Sequence, residues 1–376
     1  MKLTIAAGLH RRAGTPVEVA LSESLPEGAV RLVGPAGARW GQVIHAGGPK
    51  LVFIPDELKP GAEAGYEVEA ADGAPVAVQV SAGGGRVRID VDGELFTAYN
   101  YEGVPRPFLY PVAGPYGSAP TRHFPMQDLE GERKDHPHHR SIWFTHGDVN
   151  GVDNWSEMKN HGRTVHQRFE RLVGGPVFGE LVSHNQWVSH AGQPVIDEAT
   201  TLRVYRLPEG ERIIDAALQF TARHGEVKFG DTKEGGLVAV RVATSMDGDK
   251  NGIIVNGSGG VAEAETWGKR APWCDYSGPV DTEWGRRWIG ISLFDHPANP
   301  RFPTWWHVRN YGLMTANCFG LSHYTNDKSQ DGSLVLPAGE SIGWRYRIYL
   351  HRGDHAAGRV EERYADWAYA PKVTIA

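Results

Sequence analysis

The stretch Lys134–Trp155, KDHPHHRSIWFTHGDVNGVDNW, gathers Asp135, His136, His138, His139, Arg140, His146, Asp148, Asn150 and Asp153 around Trp143, Phe144 and Trp155. Imidazole exchanges a proton near neutral pH and is the commonest metal ligand. Titratable groups beside large rings are the material of a catalytic or binding surface. His136, His138 and His139 form H-P-H-H. On an extended strand His136 and His138 would share one face and His139 would take the other. That pair, with His146 or Asp148, has the donor types for a divalent metal. Zinc would need a third protein ligand and an open position. The spacing is not HExxH and no cysteine lies near. The cofactor expectation is therefore none or one divalent metal, beside proton transfer or substrate binding by the same imidazoles. Asp148–Asp153 lacks the spacing and final Glu of a calcium loop and reads as a turn with Asx hydrogen bonds.

A second focus is Lys233-Glu234-Gly235-Gly236, followed by Arg241 in the apolar run LVAVRVAT. A guanidinium buried there needs a carboxylate partner. Glu234 is either that partner or a general base, with Arg241 then holding an anionic or hydroxylated substrate. A third is Glu265–Tyr276, ETWGKRAPWCDY. Trp267, Trp273 and Tyr276 offer flat apolar faces, and Lys269, Arg270 and Asp275 offer charged hydrogen bonds. Such a surface suits a sugar ring; the competing reading is that these rings are plain core. Further on stand His296, Trp305, Trp306, His307, Arg309 and Tyr311, then Asn317 and His323.

The scaffold that must position these groups is mostly β. The chain has 376 residues, 40% hydrophobic and 22% charged, with a net charge of -6. An acidic chain without a basic run is not a general nucleic-acid binder. No run approaches the roughly 18 apolar residues of a membrane helix, and Met1–Ala20 has no signal-peptide core. A cytoplasmic protein is expected, with no membrane partner. With only Cys274 and Cys318, a disulfide framework or thiolate zinc cluster is excluded. Glycine (47), proline (24) and tryptophan (12) are plentiful, which favours strands and turns.

Short strands with turn signals over residues 1–83 predict a small immunoglobulin- or fibronectin-like β domain. Ser81–Gly85, SAGGG, reads as a linker. Residues 84–376 then form one large β domain. Pro105–Pro125 is too rich in proline for regular structure and predicts a lid or pocket wall carrying Phe108, Tyr110, Arg122 and His123. Ala262–Trp284 reads as a long polar and aromatic connection. A helix is expected only in Ala356–Ala370.

KDHPHHRSIWFTHGDVNGVDNW, DTKEGG…R, ETWGKRAPWCDYSG, DHPANPRFPTWWHVRNYG and LPAGESIGWRYRIYLHRG together resemble a bacterial family labelled PmoA, or methane oxygenase PmoA-like, over roughly residues 85–370. Subunits of that name are membrane-embedded, and this chain has no span. The closing turn and strand are also similar to β-supersandwich proteins of the galactose-mutarotase type. That second resemblance implies a supersandwich fold and a histidine acid with a carboxylate base acting on a sugar. It places His138 or His307 as the acid and Glu234 as the base.

The expectation is thus a mainly β chain whose large antiparallel sandwich carries one aromatic-lined pocket. His136, His138, His139, Glu234 and His307 would be catalytic. Arg140, Trp143, Arg241, Trp267, Lys269, Arg270, Trp273, Asp275, Tyr276, His296, Trp306, Arg309, Tyr311 and His323 would bind substrate. The substrate would be a small saccharide or sugar acid, processed by a hydrolase, lyase or epimerase; homo-oligomerisation stays open. A non-catalytic glycan binder and a metal-dependent oxygenase are the alternatives.

Overall fold

The computed structural model describes residues 1–22, 25–71 and 73–376. The chain is mainly β, and its larger part is an antiparallel sandwich of two eight-stranded sheets. The first sheet runs Trp305–Arg309, Leu313–Asn317, Val238–Arg241, Ile142–Trp143, Phe108–Val112, Glu94–Asn100, Arg86–Val91 and Val78–Gly83. The second runs Arg163–Val173, Phe178–Val188, Pro194–Tyr205, Arg212–Thr221, Ser341–Arg352, Gly285–Asp295, Trp273–Thr282 and Ile253–Asn256.

The period of two decides what faces inward. Ile142, Val238, Val240, Trp306, Val308, Met314 and Ala316 from the first sheet join Leu202, Ile214, Leu218, Ile291, Leu293 and Ile348 from the second in one buried cluster. The intervening residues of the first sheet, among them Trp143, Ala239, Arg241, His307, Arg309, Leu313, Thr315 and Asn317, lie on its outer face. That face carries the candidate site.

A seven-stranded antiparallel sheet built from the N-terminal strands closes on Leu3, Ile5, Leu32, Val43, Leu51, Phe53 and Tyr66. Its last strand is Lys372–Ile375, which pairs with Leu3–Ala6. The helix Val360–Ala368 packs Val360 and Tyr364 against Phe294 and Tyr349 of the second sheet.

Several segments differ from expectation, among them short helices at Ala262–Thr266 and Leu321–Tyr324. Ser81–Gly85 is no linker: Val78–Gly83 is a sheet strand, and Gly84 and Gly85 turn the hairpin to Arg86 with positive φ. Phe108–Val112 is a strand in spite of Pro111, because the register shifts between Leu109 and Val112 and the proline falls in the irregularity. Trp273–Thr282 is an inner strand of the second sheet rather than an open connection, so Asp275, Tyr276 and Ser277 are buried.

Candidate functional site

Asp135–His139 forms a turn, not a strand. The amide of His139 donates to the carbonyl of His136 at 2.9 Å, and His136 takes a φ of 43°. The turn brings all three imidazoles together instead of splitting them between faces. His136 stacks on His139 at 4.7 Å and on Tyr311 at 5.0 Å, and His138 meets His139 edge-on at 4.5 Å. His139 lies on Trp143 at 5.2 Å, and Trp155 closes the cluster against His138 and His139.

Two arginines hold this turn. Arg122, fully buried, donates to the carbonyls of Phe124, Arg133, Asp135, His136 and His139 and to the Asp135 carboxylate. Burial and then the nearby Arg241 charge bring its pKa down to about 10. Arg241 donates to Asp135 Oδ1 at 2.6 Å and to His139 Nδ1 at 3.0 Å, under the ring of Tyr311. The carboxylate that Arg241 needs is thus Asp135 and not Glu234. Arg122 and Asp135 were the residues that sequence reasoning left unassigned. Their signal was an arginine at the end of a proline-rich loop and an acid adjoining the histidines.

Guanidinium has donors only, so His139 Nδ1 is an acceptor and the ring proton sits on Nε2. His307 is fixed the same way: the Trp267 indole, also a pure donor, gives its N–H to His307 Nδ1 at 3.0 Å. Burial depresses both imidazoles, His139 well below 6.5 and His307 to about 3, with Lys233 and Arg309 adding to the effect on His307. His138 is lowered to about 4 by burial and then by Arg106. At neutral pH these three rings are uncharged. His136 is the accessible one, 40% exposed, with Nδ1 3.2 Å from Asp135 Oδ2.

The segment Thr232–Gly236 bridges the outer face between the His139 and His307 sides. Thr315 Oγ1 donates to the Gly235 carbonyl at 2.9 Å, and Asn317 Nδ2 donates to the carbonyls of Thr232 and Lys233. Thr315 pairs across the sheet with both His307 and Ala239, and Ala239 with Trp143. His307 and Trp143 therefore stand three strand spacings apart, about 14 Å. Glu234 sits on the bridging segment, half-exposed and paired with Lys233. Its charge raises the pKa of Tyr311 on one side and opposes the lowering of His323 on the other. Arg309 pairs with Glu263 at 3.2 Å and lies over Tyr311. Arg140 forks onto Glu157.

The remaining candidates lie elsewhere. Trp306 faces the core and donates to the Ala271 carbonyl. Trp273 packs among Val360 and Tyr364 and bonds Glu361. Asp275 is fully buried against His351 and Ser292. The Tyr276 hydroxyl accepts from Gly248 N and serves the carbonyls of Arg309 and Asn310, so it props the loop behind Tyr311. Arg270 stacks on Trp305 and ties down the carbonyls of 301–303, and Lys269 is exposed. His296 lines a separate cleft of about 390 Å3 with Trp367, Arg347 and Tyr205.

The metal set does not assemble. His146 is buried, bonded through Nε2 to the Gly230 carbonyl, and packed on Phe319 at 4.4 Å. Asp148 accepts from the Gly151 amide across the Asn150-Gly151 hairpin turn. Among the described residues no group of three or more His, Cys, Asp or Glu converges as a metal site. No described helix is long and apolar enough to cross a membrane.

A family model described as a family of unknown function, DUF6807, matches residues 86–365. That description replaces the methane-oxygenase label suggested by the motifs. No curated protein matches the sequence. Among solved structures, a "putative aldose 1-epimerase" from Escherichia coli K12 is similar at 11% identity and TM-score 0.29, over 73% of this chain and 99% of that one. An aldose epimerase homologue from C. elegans is similar at 8% identity and TM-score 0.24, over 50% of this chain and 70% of that one. With scores and identities this low, neither likeness carries an argument about this chain.

Proposed function

The chain belongs to the DUF6807 family, a membership that fixes no activity, and we propose from the geometry that it is an acid–base enzyme acting on a saccharide or sugar acid. The observation that carries the proposal is the placement of the Glu234 segment on one sheet face between the neutral His138 and His139 on one side and the neutral His307 on the other, where His136 stacks on His139. Pairs of groups held in different protonation states are what proton transfer at neutral pH requires.

The roles follow from the protonation logic. Glu234, half-exposed, takes a proton from a sugar hydroxyl or from a carbon next to its carbonyl. His307, locked as the Nε2–H tautomer, donates to the oxygen on which charge grows; a neutral imidazole can do this without being an acid. His136, oriented by Asp135 and stacked on Tyr311, gives a proton of its own to the substrate, and exchange with solvent takes the proton from Glu234 and restores the one on His136. Reversible transfer of this kind is epimerase or lyase chemistry. Arg309, Tyr311, Trp267 and His323 bound the same face.

The test is proton-exchange NMR of the full chain in D2O with a panel of aldoses and uronic acids. Accelerated anomeric interconversion or solvent deuterium uptake is expected, lost in Glu234→Gln and in His136→Ala while sugar binding persists. Binding without turnover of any panel member, in wild type as in both variants, would make it a glycan-binding protein instead.

A further inference from the structure

The cleft that holds His296 lies away from the histidine turn, on the outer face of the second sheet. It has a volume of about 390 Å3 and is walled by Pro16, Glu18 and Lys50 of the N-terminal region, by Trp367 and Ala370 at the C-terminal helix, and by the sheet itself. That size is in the range of small-molecule sites. Its floor is open because the side chains there are short. Thr201 pairs with Ala217 and Ala217 with Arg345, so two small residues stand in a row beside one long one. The neighbouring row is Arg203, Asp215 and Arg347.

The carboxylates lining the cleft are spent. Asp215 accepts the Arg347 fork and the Tyr205 hydroxyl. Glu18 pairs with Lys50 and Arg203. Asp366 accepts from Thr15 and Arg12 and pairs with His10. Two donors are not spent. Arg345 is exposed at the cleft, and among the described residues its guanidinium pairs with no carboxylate. The Ala298 amide donates to His296 Nδ1 at 3.1 Å, so the ring proton sits on Nε2, which meets no acceptor among the described residues. Burial and then the Arg345 charge lower the His296 pKa to about 4, so the ring is neutral at neutral pH. Asn299 fixes both donors in place. Its side chain accepts from the Arg345 amide and donates to the Arg345 carbonyl, each at 2.7 Å, and its own amide donates to the His296 carbonyl.

We infer that this cleft binds a small organic monocarboxylate, with its carboxylate on the Arg345 guanidinium and the His296 Nε2–H and its apolar body seated on Ala217 against Trp367. A guanidinium takes a planar carboxylate in two parallel hydrogen bonds. One spare cation neutralises one negative charge, which favours a carboxylate over a doubly charged phosphate. Because the walls come from separate parts of the chain, the bound acid also holds them together, and binding to the folded state alone raises stability.

Calorimetric titration of the full chain with benzoate and hexanoate, against benzamide and inorganic phosphate, tests this. At least one of the two acids is expected to bind roughly tenfold more tightly than benzamide and phosphate and to raise the melting temperature. Arg345→Gln should remove that preference and leave the melting temperature of the free protein unchanged, because the side chain pairs with no described carboxylate. Ala217→Leu fills the floor without altering any charge and should also abolish binding of the acid, a loss that attraction to a loose surface cation would not show. Failure of both acids to bind, binding of benzamide or phosphate as tight as that of the acids, or an acid preference that survives Arg345→Gln or Ala217→Leu each overturns the inference.

Discussion

Arg241 donates to Nδ1 of His139 across 3.0 Å although the two are 102 positions apart in the chain. The same guanidinium binds Asp135, so one strand residue sets both the tautomer of an imidazole and the carboxylate that faces His136. Arg241→Ala strips His139 of its donor and leaves Asp135 with Arg122. Breaking a buried pair from one side costs about 3–5 kcal/mol; Asp135 is 32% exposed and keeps Arg122, so denaturant unfolding should show a smaller loss. Arg241→Lys keeps the charge without the fork and should fall between. Nitrogen-detected NMR should find the His139 proton on Nε2 in the wild type; a proton on Nδ1 would remove the basis of the neutral-donor assignment.

Acid should unfold the protein earlier than its carboxylates alone require. His146 is held near 4 and His307 near 3, in each case first by burial. In the unfolded chain each would titrate near 6.5. Between those values the unfolded state binds more protons than the folded state, so the stability present above pH 6.5 is lost as pH falls. Each group contributes a slope of up to about 1.4 kcal/mol per pH unit in that window. Unfolding free energies measured from pH 7 to 4 should fall steeply, and His146→Gln should flatten the curve. A flat wild-type profile would mean that the rings are solvated.

The strands of the scaffold were legible because alternation and turn residues are local signals. The strand Phe108–Val112 was not, since Pro111 suggested a breaker and only the register shift beside it shows how the sheet absorbs it. The histidine turn was located by composition, but its geometry was missed. H-P-H-H read as a strand splits the rings, whereas Arg122 gathers five carbonyls and closes a turn. Trp273, Asp275 and Trp306 looked like sugar-binding groups. Which face of a strand meets the second sheet or the C-terminal helix is a long-range fact that the residue types around them do not carry. The Asp135–Arg241 pairing is of the same kind: valence called for a carboxylate, and only the fold chose which one.

Gly236→Ala should disable the site without touching a charged group. A Cβ at Gly236 would fall 2.3 Å from the Ala316 carbonyl oxygen and 2.4 Å from the Asn317 Cα, and its φ is +122°. Both obstacles are backbone, so the Thr232–Gly236 segment must lift from the sheet and take Glu234 with it. The expected result is a drop in melting temperature together with the loss of turnover seen in Glu234→Gln. Gly259→Ala, where φ is also positive but no atom lies within 4 Å, serves as the strain control and should keep turnover.

The pair Asp275–His351 should make stability fall on the alkaline side as well. His351 Nε2 lies 2.8 Å from Asp275 Oδ1, with both side chains fully buried. Burial works against the imidazolium, but the Asp275 charge and hydrogen bond outweigh it and raise the His351 pKa above 6.5. A raised folded pKa means stability fully present below about 6.5 and lost as pH climbs through the folded value. The ring is seated tightly: a Cβ on Gly290 or on Gly358 would come within 2.1 Å of it. Neither group can therefore swing out to water without opening the sheet. Unfolding measured from pH 6 to 9 should show a decline in the wild type that is absent in His351→Gln, whose own stability is lower by about 3–5 kcal/mol at the acid end, the cost of stranding a buried charge, with the gap narrowing as pH rises. A decline that persists unchanged in that variant would place the alkaline titration on some other group and leave the pair as an ordinary polar contact.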